Sequence, residues 1–149
     1  MKGFLRFYKW ELNNEMFCSF YFVAMLSMYS IEMLLHGVKN INIFIMLEML
    51  FLGYALSLVQ KITFSNDSNA NRKVLLVKTI IWFVSSLLLI IVSSIMFQWF
   101  VNLQTWAMGV FIGYMVLFLI AIWVGIHIAN KIDTKNLNDM LSHYQEKSK

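Results

Sequence analysis

The chain has 149 residues, 60% of them hydrophobic and only 13% charged, where soluble domains carry roughly 25% charged residues. A soluble fold is excluded, because a domain this small keeps too much of its area in contact with water to hide so much apolar surface. The net charge of +4 reflects topology rather than direct nucleic-acid binding, since the basic residues flank apolar runs, and the single cysteine, Cys18, excludes an internal disulfide and any multi-cysteine metal site.

The first residues put Lys2, Arg6, Lys9 and Asn13 at helical spacing, with Phe4, Leu5, Tyr8 and Leu12 on the other side. This pattern predicts a short N-terminal interfacial segment on the inner leaflet. A plain helical lead-in that obeys the charge rule explains the same residues and is preferred, because polybasic lipid motifs usually hold more charges. The segment is not read as a cleaved signal peptide: the apolar run that follows is too long, and no small-x-small cleavage site comes after it.

A membrane-spanning helix needs roughly 20 mostly apolar residues. Four such runs occur, over about 16–35, 41–59, 79–97 and 107–128. They are too long and too unalternating for barrel strands, and proline is absent, so no helix interior is forced to kink. His36 to Asn40 form a short break, a polar stretch from Ser65 to Lys73 separates the halves, and Gln98 to Trp106 form the second short turn. The predicted fold is all-α and integral to the membrane: one domain, a four-helix bundle. Lys2, Arg6 and Lys9, then Lys61, Arg72, Lys73 and Lys78, then Lys131, Lys135, Lys147 and Lys149 all fall on one side, against Lys39 alone on the other. Basic residues favour the cytoplasm, so both termini and the central loop are expected there. Trp99 and Trp106 bracket the outer turn, where amphipathic rings prefer the interface.

Inside the apolar runs, Glu32 and Glu48 stand out, because an ionisable group in a bilayer is costly unless paired. Glu32 and His36 are four apart and share a helix face. One reading is an extracytoplasmic polar pocket made of Glu32, His36 and Glu48 that binds a cation or a peptide. The preferred, plainer reading is a pair of hydrated or protonated carboxyls that hold the first hairpin together, with Glu48 the deeper of the two. Met25, Met28, Met33, Met46 and Met49 gather in the same half; thioethers suit Cu(I), but flexible packing is the expected role, and no metal or cofactor is expected.

Gly109, Gly113, Ala121, Gly125 and Ala129 are spaced by multiples of four along the fourth run. Such a small-residue stripe lets helices approach closely, and packing within the bundle is preferred over a homodimer, with Ser85, Ser86, Ser93 and Ser94 as hydrogen-bonding partners. In the tail, 130–149, Asp133 is a candidate N-cap. Leu137, Met140, Leu141 and Tyr144 follow the amphipathic i, i+3, i+4, i+7 pattern. This C-terminal cytoplasmic amphipathic helix is expected either to dock a soluble partner or to anchor the fourth span. His127 is expected to face the bundle or the interface. No phosphate loop, H-E-x-x-H helix or G-x-S-x-G elbow is present, so no enzymatic activity is expected.

Two segments carry a family resemblance: Gly53-Tyr54-Ala55-Leu56-Ser57-Leu58-Val59-Gln60-Lys61 and Asn130-Lys131-Ile132-Asp133-Thr134-Lys135-Asn136-Leu137-Asn138-Asp139-Met140-Leu141. Together with length and layout, they resemble an uncharacterised family of short four-span membrane proteins of Gram-positive bacteria, often encoded beside LytTR-type DNA-binding regulators. The resemblance implies a regulatory or scaffold role in which the cytoplasmic surface restrains the partner regulator at the membrane. The alternative is a small membrane subunit of an ABC-type transport or export complex. The partners implied are the lipid bilayer, a cytoplasmic DNA-binding regulator or a transporter subunit, and a second copy of the chain.

Overall fold

The computed structural model describes the backbone of residues 2–64, 72–101 and 103–147, and the side chains of 11–12, 14–64, 73–101, 103–104 and 106–128. The described residues form four helices joined by short turns and irregular segments: α1 (Lys2–Leu35), α2 (Ile43–Phe64), α3 (Arg72–Met96) and α4 (Thr105–Lys147). Each contains a stretch long and apolar enough to cross a membrane: Asn14–Leu35, Ile43–Phe64, Lys73–Met96 and Trp106–Ile128. Only 33% of the window in α1 and in α2, and 17% of that in α3 and in α4, is buried within the protein. The remaining apolar faces point outward, opposite to the arrangement of a water-soluble bundle.

The chain divides after Val116 into two compact units, residues 1–116 and 117–149. In the first, α1 packs on α2 and α2 on α3. The core positions follow from helix periodicity. In α1 they are Asn14, Cys18, Tyr21, Met25, Tyr29 and Glu32, in steps of three and four. α2 answers with Met49, Leu52, Gly53, Leu56, Ser57 and Gln60. α3 offers a narrow line, Trp82, Ser86, Ile90 and Ser94, and the start of α4 adds Ala107, Phe111 and Met115. The second unit is the remainder of α4, apolar as far as Ile128 and polar beyond it.

α2 comes close to α1 at Gly53. A Cβ there would lie 3.0 Å from the Cys18 carbonyl oxygen and 3.3 Å from the Phe22 nitrogen. Both are backbone atoms that no rotamer change can move. The Cys18 Sγ reaches across the same crossing to the Leu50 carbonyl, at 3.8 Å. On the C-terminal side of Gly53, α2 is joined to α1 by side-chain hydrogen bonds. Tyr21 donates to Gln60 Oε1 at 2.6 Å, Ser57 to Asn14 Oδ1 at 2.7 Å, and Tyr54 to Glu11 Oε1 at 3.1 Å.

Several boundaries and packings differ from expectation. α2 begins at Ile43 because the Asn42 side chain caps it, Oδ1 accepting from the Phe44 amide at 3.0 Å, and it continues past Val59 to Phe64. Asp133 is not an N-cap: α4 is one helix to Lys147, since no Gly or Pro after Ile128 interrupts its hydrogen-bond ladder. Likewise no break separates an N-terminal segment from the first span. The expected packing stripe is open: Gly109, Gly113 and Gly125 have nothing within 4 Å of a built Cβ, and Ala121 is exposed. Spacing identified one face of α4 but not its direction; the buried face of that turn is Ala107, Phe111 and Met115. Among the described residues, Ser85, Ser86 and Ser94 make no hydrogen bond to α4. Ser85 and Ser94 donate to their own helix at the carbonyls of Trp82 and Ile91, and Ser86 Oγ is buried without a partner. The side chains of Lys2, Arg6, Lys9, Asn13, Ala129, Leu137, Met140, Leu141 and Tyr144, and the central loop 65–71, lie outside the described residues.

Candidate functional site

The end of the first unit that carries the α1–α2 and α3–α4 connections concentrates the unusual chemistry. Two helix ends build it in the same way. α1 closes with Gly37 at φ 77°, its amide bonded to the Leu34 carbonyl at 3.0 Å and the Val38 amide to Met33 at 2.9 Å. This is the Schellman pattern, which uses glycine's freedom at positive φ. α3 closes identically but with Gln98 at φ 55°, through Gln98 N to Ile95 O and Trp99 N to Ser94 O, both 3.2 Å. A non-glycine residue in this conformation is strained, and the turn it makes delivers Trp99 to the interior.

Trp99 is buried and makes two links. Its indole Nε1 donates to Glu48 Oε2 at 2.9 Å, and its carbonyl accepts from the Tyr29 hydroxyl at 3.2 Å. One residue of the connection is thereby tied to α1 and to α2. Rings complete the surround: Tyr29 meets Phe100 edge-on at 5.7 Å, Trp99 meets Phe111 at 6.1 Å, and Phe100 lies 5.2 Å from Phe111.

Glu32 and His36 project from the last turns of α1. The His36 Nδ1 lies 2.8 Å from the Glu32 backbone carbonyl. A carbonyl oxygen only accepts, so Nδ1 carries the hydrogen and, in the neutral ring, Nε2 presents a bare lone pair. The Trp106 ring covers this imidazole at 5.3 Å, while the Trp106 indole nitrogen donates to Gln104 Oε1. Both carboxyl oxygens of Glu32 and the Nε2 of His36 are buried with no hydrogen-bond partner. Glu32 itself has no exposed surface. The two side chains are close enough to interact electrostatically, and the Tyr29 hydroxyl lies within the field of both Glu32 and Glu48.

The structure therefore brings Glu32, His36 and Glu48 to one end of the first unit. Glu48, further from its helix end, is half-buried and hydrogen-bonded, and Glu32, on the α1 face that meets α2, is enclosed and unsatisfied. Sequence reasoning missed Trp99, expected at an interface; only its tight-turn context hinted at another role. It also missed Tyr21, Asn14, Ser57 and Gln60, because the last two were read as a span end.

Met25 and Met49 are fully buried packing residues. Among the described residues no group of three His, Cys, Asp or Glu side chains is placed to hold a metal ion. In the second unit, His127 is exposed and stacked on Trp123 at 6.0 Å. The chain matches no protein-family profile, no curated protein and no solved structure.

Proposed function

We propose that this chain is a non-enzymatic, multi-pass protein of the bacterial cytoplasmic membrane that holds a cytoplasmic transcription regulator at the membrane. The observation that supports this reading is the continuity of α4. Its apolar stretch ends at Ile128, yet the helix runs on to Lys147. At 1.5 Å per residue the polar part extends about 28 Å. Along the sequence of this arm Leu137, Met140, Leu141 and Tyr144 recur at the spacing of a helix that lies in a partner's groove. The lysines that cluster at 2–9, 61–78 and 131–149 support cytoplasmic termini, and the likeness to short four-span proteins encoded beside LytTR-type regulators supports the partner class.

The test is recovery of the tagged chain in mild detergent, with mass spectrometry of what accompanies it. A DNA-binding regulator that is present with the full chain and lost on truncation from Asp133 is the expected result. Equal recovery without the tail overturns the role of the arm.

The open glycine face of α4 favours a second reading, as a small subunit of a larger ABC-type export complex. Gly109 and Gly113 lie one turn apart with nothing against them, the surface on which another membrane helix packs closely. An ATPase or larger permease in the same eluate, released by Gly109→Leu, would favour this reading over the first.

A further inference from the structure

We infer that Glu32 and His36 form a receptor for a primary ammonium group. The argument begins from an imbalance of hydrogen-bonding groups. Buried polar atoms are almost always partnered, yet three neighbouring ones here are not: Glu32 Oε1, Glu32 Oε2 and His36 Nε2. With the carboxyl ionised, as a bound cation would keep it, all three are acceptors, the last because Nδ1 holds the ring hydrogen against the Glu32 carbonyl. The donors in the vicinity are committed elsewhere, the Trp99 indole to Glu48, the Tyr29 hydroxyl to the Trp99 carbonyl and the Trp106 indole to Gln104. What is missing is a compact species with several N–H donors and a positive charge.

A primary ammonium has three donors and no acceptor, the complement of this set. A metal ion fits less well. Transition metals need more nitrogen, sulfur or carboxylate ligands than the two side chains supply, and no third His, Cys, Asp or Glu completes a group among the described residues. Hard cations need six or more oxygens. Aromatic rings lie at the same end: Trp106 against His36, and Tyr29, Trp99, Phe100 and Phe111 in a connected cluster; ring faces attract cations most strongly where water is excluded.

The ammonium has two natural sources, the headgroup of phosphatidylethanolamine or a soluble primary amine. The inference does not depend on which partner the C-terminal arm holds, and its test reads binding alone.

The full chain is placed in phosphatidylglycerol nanodiscs. To these are added phosphatidylethanolamine, phosphatidylcholine (whose quaternary nitrogen has the charge but no N–H), or ethanolamine in the buffer. Thermal unfolding and amide exchange across residues 29–38 are followed. Phosphatidylethanolamine or ethanolamine is expected to stabilise the chain and slow exchange there. Half-saturation should come at least about tenfold lower than for phosphatidylcholine or tetramethylammonium, since the quaternary group leaves the buried acceptors unpaired. A response to the lipid alone assigns the source to the bilayer; a response to ethanolamine assigns it to a soluble amine. The response should be lost in Glu32→Gln and kept in Glu48→Gln. Equal effects of primary and quaternary species in the wild-type chain overturn the inference, whatever the variants do. So does a response reproduced by acidification alone, which would make the occupant a proton.

Discussion

The indole of Trp99 donates to the carboxyl of Glu48 at 2.9 Å across 51 residues of chain, so the connection after α3 is fastened to the N-terminal part of α2. The same residue receives the Tyr29 hydroxyl on its carbonyl. Trp99→Phe keeps the ring and removes the donor. The variant should lose about 1.5–3 kcal/mol, the usual worth of a hydrogen bond to a charged group, measured by denaturant unfolding in detergent. Glu48→Gln retains an acceptor and should lose less.

Gln98 holds the strained turn that carries Trp99 inward. Glycine there, as at Gly37, removes the steric penalty. Gln98→Gly should stabilise the chain by about 1 kcal/mol, and Gly37→Gln should destabilise it by a similar amount. Paired melting curves decide both.

Glu32 gives the prediction with the least intuitive sign. Replacing a buried, unpartnered carboxyl with an apolar side chain of similar length removes a desolvation penalty and forfeits no hydrogen bond. Glu32→Met should therefore raise stability by about 1–3 kcal/mol in discs without amine, while eliminating any ammonium response. A loss of stability would mean that Glu32 has a partner in solution.

The glycines of α2 and α4 should separate cleanly. Gly53→Ala forces backbone against backbone at Cys18 and Phe22 and should destabilise by about 1–3 kcal/mol, the range for overpacking. Gly109→Ala meets nothing and should be neutral or stabilise by up to about 1 kcal/mol through helix propensity. Should Gly109→Ala instead weaken a complex, the open face has a partner.

Tyr21→Phe strands the Gln60 carbonyl that its hydroxyl reaches at 2.6 Å. Interhelical bonds of this kind inside membranes are worth about 0.6–1.7 kcal/mol, and a loss in that range is expected from the same unfolding assay.

Much of this architecture can be read from the residues, and the parts that cannot have specific causes. Four apolar runs are legible because nothing else in an aqueous cell tolerates them, and Asn42 and Gly37 mark real helix ends. The ends beyond the apolar runs are not legible. Polar residues such as Lys131 and Asp133 lower hydropathy without interrupting backbone hydrogen bonds, so α4 runs through them. The Glu32–His36 pairing follows from their spacing alone. Its relation to Trp99 does not, since that contact depends on how the chain turns after Met96. Periodicity places Gly109 and Gly113 on one face but carries no information on whether that face meets protein; Gly53, with no glycine neighbour in the pattern, is the one that another backbone touches.

Cys18 lies beneath the Gly53 crossing, buried and free of any disulfide, and it is the chain's only thiol. A maleimide can reach it only when α1 and α2 part, so the rate of alkylation becomes a clock for that separation, readable in the wild-type sequence without an engineered label. Run beside the disc experiments, the clock distinguishes an amine that tightens the whole hairpin from one that orders its loop end alone.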